Sequence, residues 1–168
     1  MNLQKALQVF FDENKENEDD SRRYAVAAFR LYALCGQPTY EELRHLIHEN
    51  AVRKSRDELC WIRSGISKPT EQALINAERL MAQKAPILED LRAVEQAIVQ
   101  IERKKNGREI LRAVEMIYFA GPGVKLDKGE IARRVLVASL QIPASERQVY
   151  YWLKEARLLF CRERGLRI

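Results

Sequence analysis

Apolar side chains recur along most of this chain at intervals of three and four, and no run alternates apolar with polar at period two. That spacing is the mark of helices rather than strands, and it predicts an all-α protein. A first helix is expected from about Arg22 to Leu34, burying Val26, Ala27, Phe29 and Ala33, with Gly36 and Pro38 stopping it. Thr39 opens a second helix with Glu42 at capping-box spacing, and Leu43, Leu46 and Ile47 form its apolar face. A further segment around Leu59, Trp61 and Ile62 ends in Ser-Gly-Ile-Ser. The next helix begins near Pro69, whose missing amide donor costs nothing in a first turn.

Pro86 is expected to break or kink that helix. Beyond it, Ile87, Leu91, Val94, Ile98 and Ile101 are spaced four, three, four, three, and Leu80 and Ala77 extend the register backwards. Such a seam serves equally to join two copies of a chain or to pack a helix on its own neighbours. Three shorter helices complete the pattern. One runs from about Arg108 to Phe119, with Ile110, Val114 and Ile117 inward, before a stop at Ala-Gly-Pro-Gly. Another is capped by Asp127, with Glu130 at capping-box spacing and Ile131, Ala132 and Val135 apolar. The last opens at Ser145, and its Val149, Leu153, Ala156 and Phe160 share one face. Tyr150 and Trp152 flank that stripe and are expected to pack against it.

The pattern divides the chain into three parts. Residues 1–20 end in an acidic lead-in, Asp-Glu-Asn-Lys-Glu-Asn-Glu-Asp-Asp, expected to be solvated or disordered. Residues 21–105 form a helical region holding the possible dimerisation seam. Residues 106–168 form a three-helix domain of helix-turn-helix layout, in which the third helix enters the major groove of DNA.

Charge sharpens this picture. The net charge of +5 is unevenly spread: from Arg103 onward there are 15 Lys and Arg against 7 Asp and Glu, while residues 1–102 are mildly acidic. A basic C-terminal third is the expected footprint of a polyanionic partner. On the last helix, Arg147 and Gln148 have the side chains suited to bidentate contacts with guanine and adenine. Glu146, Tyr151 and Lys154 lie with them on or near the face opposite the core, and Lys154, Arg157, Arg162, Arg133 and Arg134 are candidates for phosphate contacts.

Other chemistry is poorly represented. The cysteines Cys35, Cys60 and Cys161 are odd in number and far apart, which points to reduced thiols in a cytoplasmic protein. No run approaches the ~18 apolar residues of a membrane span, and no signal-peptide pattern opens the chain. His45 and His48 lie three apart with Glu41 and Glu49 nearby, but no further His or Cys completes a metal site, and a solvated face is the better reading. No phosphate-binding glycine loop or nucleophile elbow occurs, and Glu41-Glu42, Asp57-Glu58 and Glu89-Asp90 diverge around their helices. Neither an enzyme nor a cofactor is expected.

The C-terminal segments Ser-Glu-Arg-Gln-Val-Tyr-Tyr-Trp-Leu-Lys (145–154), Gly-Glu-Ile-Ala-Arg-Arg-Val (129–135) and Glu-Ile-Leu-Arg-Ala-Val-Glu-Met-Ile-Tyr-Phe (109–119) together resemble the ArpU/RinA group of phage transcriptional regulators. Gly-Ile-Ser-Lys-Pro-Thr-Glu-Gln-Ala (65–73) is similar to a segment that precedes their middle helices. The resemblance covers roughly residues 60–168. It implies a late-gene regulator with a helix-turn-helix like the fourth region of sigma factors, and recognition by Ser145, Glu146, Arg147, Gln148 and Tyr151. Double-stranded DNA would be the partner, RNA polymerase a second one, and a homodimer the acting form. One feature departs from the family: Ala132 and Ser145 are thirteen positions apart, about twice the spacing of a compact helix-turn-helix, so the second helix must be longer or the turn wider. Two other functions fit the same pattern: a small terminase subunit reading packaging-site DNA, and a helical adaptor whose basic face meets an acidic protein.

Overall fold

A computed structural model describes residues 21–60 and 69–166, with the side chains of 57–60 and 69–73 left aside. Among the described residues there are six helices and no strand: α1 (Ser21–Leu34), α2 (Tyr40–Cys60), α3 (Pro69–Glu102), α4 (Gly107–Tyr118), α5 (Lys128–Gln141) and α6 (Glu146–Arg164). The fold is all-α. The acidic lead-in, the packing of Cys60 and the segment around Trp61 and Ile62 lie outside the described residues.

The helices fall into two units. One joins α1 to the end of α3 from Asp90 and to α4, α5 and α6; the other holds α2 and α3 up to Glu89. Residues 105 and 106, where a boundary was expected, both lie in the first of these units, and the boundary expected at 20/21 falls at the edge of the described residues. The three C-terminal helices pack on one another, and α1 packs on α4 and α6. Aromatic side chains form this junction. The ring of Phe29 lies 5.8 Å from that of Tyr118 and 6.1 Å from that of Phe160, and Tyr32 is 6.2 Å from Phe119. These are the separations of favourable tilted aromatic pairs. Phe29, Tyr118 and Phe160 are fully buried, each contributing roughly 2–3 kcal/mol through apolar burial.

A second junction is polar. Asp90 is buried, and its carboxylate accepts the Tyr24 hydroxyl at 2.5 Å and the Arg164 Nε–H at 2.6 Å. It ties α1, α3 and α6 together at one end of α6. Neighbouring Glu89 is exposed, as expected for adjacent acids on a helix. Burial pushes the Tyr24 hydroxyl well above the ordinary tyrosine range, and its bond to Asp90 adds to the effect.

In the other unit, the Thr39 N–H donates to Glu42 Oε2 at 2.9 Å and the Glu42 N–H donates to Thr39 Oγ1 at 3.3 Å, completing the expected capping box. Leu43, Ile47 and Ala51 are buried at intervals of four. Leu46, expected on that face, is exposed, because the stripe drifts away from its side of α2. The break expected at Pro86 does not occur: α3 runs through it. Ala82, whose carbonyl lacks its usual donor, is exposed like Pro86 itself, so water can satisfy it. Of the seam, Ala77, Ile87, Leu91, Val94 and Ile101 are buried within the single chain, and Leu80 and Ile98 are partly covered.

Candidate nucleic-acid interface

The path into the last helix is fixed by two caps and a short turn. Asp127 Oδ1 accepts the Glu130 N–H at 2.9 Å and starts α5. The carboxylate of Glu130 does not return to the cap as the sequence spacing implies. It takes the Arg133 guanidinium through two bonds of 2.9 and 2.7 Å and the Arg134 Nε–H at 2.7 Å. The hydrogen bonds from Arg133 and Arg134 hold its carboxyl well below the usual range, at about 2. α5 is 14 residues long, and only residues 142–145 separate it from α6. The long spacing between Ala132 and Ser145 is thus taken up by the helix, and the turn stays tight. Within that turn Ile142 is buried and donates its N–H to the Ala138 carbonyl at 2.9 Å.

Ser145 then caps α6, its Oγ accepting the Gln148 N–H at 3.2 Å. Val149, Leu153, Ala156 and Phe160 are fully buried as the periodicity predicts, and Trp152 joins them. At 100° per residue, Arg147, Tyr151, Lys154, Leu158 and Arg162 form a stripe opposite that core. Arg147, Tyr151, Lys154 and Arg162 are exposed, and the stripe contains no carboxylate. Glu146 and Gln148 flank it in the first turn, both exposed. Glu155 is drawn aside into an ion pair with Lys104, and Glu163 accepts a hydrogen bond from Gln100. Three cations, Arg147, Lys154 and Arg162, thus stand along the stripe with Tyr151 and Leu158 between them.

Arg147 is held in place within that stripe. Its Nη2 donates to the Tyr151 hydroxyl at 3.3 Å, and its guanidinium carbon lies 5.7 Å from the centre of the Tyr151 ring. A cation over a ring face at this range is attracted to it. The contact links two of the expected recognition residues and limits where the guanidinium points.

The remaining expected phosphate ligands are placed differently. Arg134 is mostly covered, bonded to Glu130 and, through Nη1, to the Met116 carbonyl at 3.1 Å, so it joins α5 to α4. Arg157 donates to the Tyr118 hydroxyl and joins α6 to α4. Burial raises the Tyr118 hydroxyl above its ordinary pKa, while Arg157 opposes this. Both arginines are engaged in holding the three helices together. Arg133 is exposed but bound to Glu130 in the same helix. All six of Ser145, Glu146, Arg147, Gln148, Tyr151 and Lys154 are exposed, with Arg147, Tyr151 and Lys154 sharing the side opposite the core and Ser145 and Glu146 nearer its edges, while Arg134 and Arg157 are half-buried.

Two exposed aromatic and apolar features were not legible from the sequence. Tyr150, expected to pack, is exposed, and Ala132 on α5 is exposed as well. Tyr150 and Trp152 each stand one residue from a core position, so periodicity alone gives no signal that separates them. Among the described residues, no three His, Cys, Asp or Glu side chains are grouped as metal ligands, and His45 pairs with Glu49 at 3.2 Å on an exposed face. No described helix is long and apolar enough to cross a membrane. Comparison with family models, with curated proteins and with solved structures finds no match to this chain.

Proposed function

We propose that this chain is a transcriptional regulator of the phage late-gene type that binds double-stranded DNA in a sequence-specific manner through α6. The reading is carried by one observation: a capped helix whose buried face is complete and whose opposite face carries Arg147, Lys154 and Arg162 and no carboxylate, with Gln148 beside Arg147 in the first turn. On this reading Arg147 and Gln148 read base edges in the major groove, Ser145 and Glu146 adjoin them, and Tyr151 fixes the angle of Arg147. Lys154 and Arg162 neutralise phosphates and set affinity without sequence choice. RNA polymerase is the second partner. The acting form is a homodimer, joined elsewhere than at Leu91, Val94 and Ile101, which are already buried in the single chain.

Selection of bound duplexes from a random library, repeated with Arg147→Ala plus Gln148→Ala, tests the proposal. An enriched motif that the double variant loses is the expected result. Weak binding without enrichment, vanishing between about 50 and 200 mM salt, is what generic phosphate attraction gives and would end the proposal. A second reading, a protein–protein adaptor, draws on the apolar residues that α5 leaves exposed. It predicts that the double variant leaves partner binding intact.

A further inference from the structure

The turn between α3 and α4 carries cations that no other described residue engages. Residues 102–112 hold five Lys and Arg against two carboxylates. Lys104 pairs with Glu155 of α6. Arg103, Lys105 and Arg108 are exposed and make no hydrogen bond or ion pair among the described residues. The turn that presents them is short and well held. Only residues 103–106 separate the two helices. The Lys104 N–H donates to the Ile101 carbonyl at 2.9 Å, and the Gly107 N–H donates to the Lys104 carbonyl at 3.0 Å. Cations on a fixed turn lose little freedom when an outside anion meets them.

Two contacts set this turn alongside α6. Gln100 donates to Glu163 and Lys104 to Glu155, so the end of α3 follows the last helix from its C-terminal turns towards its middle. At 100° per residue, Glu155 lies about 20° round the helix from Arg162 and about 40° from Tyr151. Arg103 and Lys105, whose backbones are about 3.8 Å from that of Lys104 on either side, therefore border the cationic stripe. A helix about 10–12 Å across fills a major groove about 12 Å wide. Cations on the flank of a helix lying in that groove meet the phosphates along its rim.

We propose that Arg103, Lys105 and Arg108 form a second anion site, which holds the phosphate backbone of duplex DNA along one rim of the groove that α6 occupies. The site rests on the DNA reading above. It supplies flanking contacts that Arg134 and Arg157, bonded to Met116 and Tyr118, do not, and it adds affinity without sequence choice.

Arg103→Gln plus Lys105→Gln plus Arg108→Gln tests the site, with Arg44→Gln plus Arg53→Gln plus Arg56→Gln on α2 as the charge-matched control at equally exposed positions. Affinity is measured between about 50 and 200 mM salt, on the duplex enriched from the random library and on one unrelated duplex. Each phosphate contact adds about 0.9 to the slope of log affinity against log salt, so losing three lowers the slope by about 2.7. The advantage of the natural chain over the triple variant should therefore shrink about 40-fold across that range. The variant should still enrich the natural motif, and the α2 control should keep the natural slope. A slope within about 0.5 of the natural one, or an equal loss in the control, overturns the site. A changed motif also overturns it, since the three residues would then read bases. If the natural chain binds both duplexes alike and the triple variant alone loses slope, the phosphate site stands and the sequence-specific reading falls. Absence of duplex binding at the lowest salt overturns both.

Discussion

Replacing Asp90 tests how much of the larger unit depends on one buried carboxylate. Its side chain is 2% exposed and accepts from Tyr24 at 2.5 Å and from Arg164 at 2.6 Å. Removing one partner of a buried ion pair costs about 3–5 kcal/mol. The Arg164 side chain is 28% exposed and can recover water, so Asp90→Ala should fall near the lower end, at about 3 kcal/mol. Tyr24→Phe removes one hydrogen bond to a charged acceptor, worth about 1.5–3 kcal/mol. The two changes delete the same contact, so their combination should cost about 1–2 kcal/mol less than their sum. Urea unfolding followed by tryptophan fluorescence measures this, with Trp61→Phe in the background so that buried Trp152 on α6 is the single reporter. A loss below about 0.5 kcal/mol for Asp90→Ala, or strict additivity with Tyr24→Phe, would refute the view that Asp90 ties α1 to α6.

At Gly107 a methyl group would sit 2.5 Å from the Ile101 carbonyl and 2.9 Å from that of Glu102, so Gly107→Ala should cost about 1–3 kcal/mol in thermal unfolding. Gly121→Ala, with nothing within 4 Å, is the matched control and should leave the melting temperature nearly unchanged. The Glu130 carboxyl lies at about 2 in the folded chain against an ordinary 4.5, so its stabilising effect is complete above the ordinary value and is lost as pH falls towards about 2. The melting difference between the natural chain and Glu130→Gln should therefore be flat above about pH 5 and shrink steadily below it; a difference that grows on acidification contradicts the assignment. Burial pushes the Cys35 thiol up to about 11 from its ordinary 9.0, so at pH 8 it should alkylate about 100-fold more slowly than an open thiol, read by peptide mass spectrometry.

Sequence periodicity carried most of the fold because the helices here are amphipathic and punctuated by strong caps. Thr39, Asp127 and Ser145 each start a helix where expected, and the stripe from Val149 to Phe160 is buried throughout. Contacts between distant segments were not legible. Arg134 and Arg157 have the composition of phosphate ligands, but their partners, Met116 and Tyr118, lie 18 and 39 positions away. No local pattern predicts those pairings. Asp90 was likewise indistinguishable from Glu89 as one of two adjacent acids. On α6, helical spacing separated exposed Arg147, Gln148, Tyr151 and Lys154 from the buried stripe of Val149 to Phe160, but misplaced Tyr150. It could not say which outward arginines would be consumed by the rest of the protein, because that depends on which helix lies alongside.

The division of the chain also bears on how it is made. The larger unit is discontinuous: residues 38–89 are spliced into it between α1 and Asp90. Tyr24 and Phe160, whose rings pack together, are 136 positions apart, so at about 5–20 residues per second roughly 7–27 s separate their synthesis on the ribosome. Throughout that interval Ala25 and Phe29, which share one face of α1, have no α6 to cover them. The aromatic junction of α1 is therefore completed only once α6 has been made.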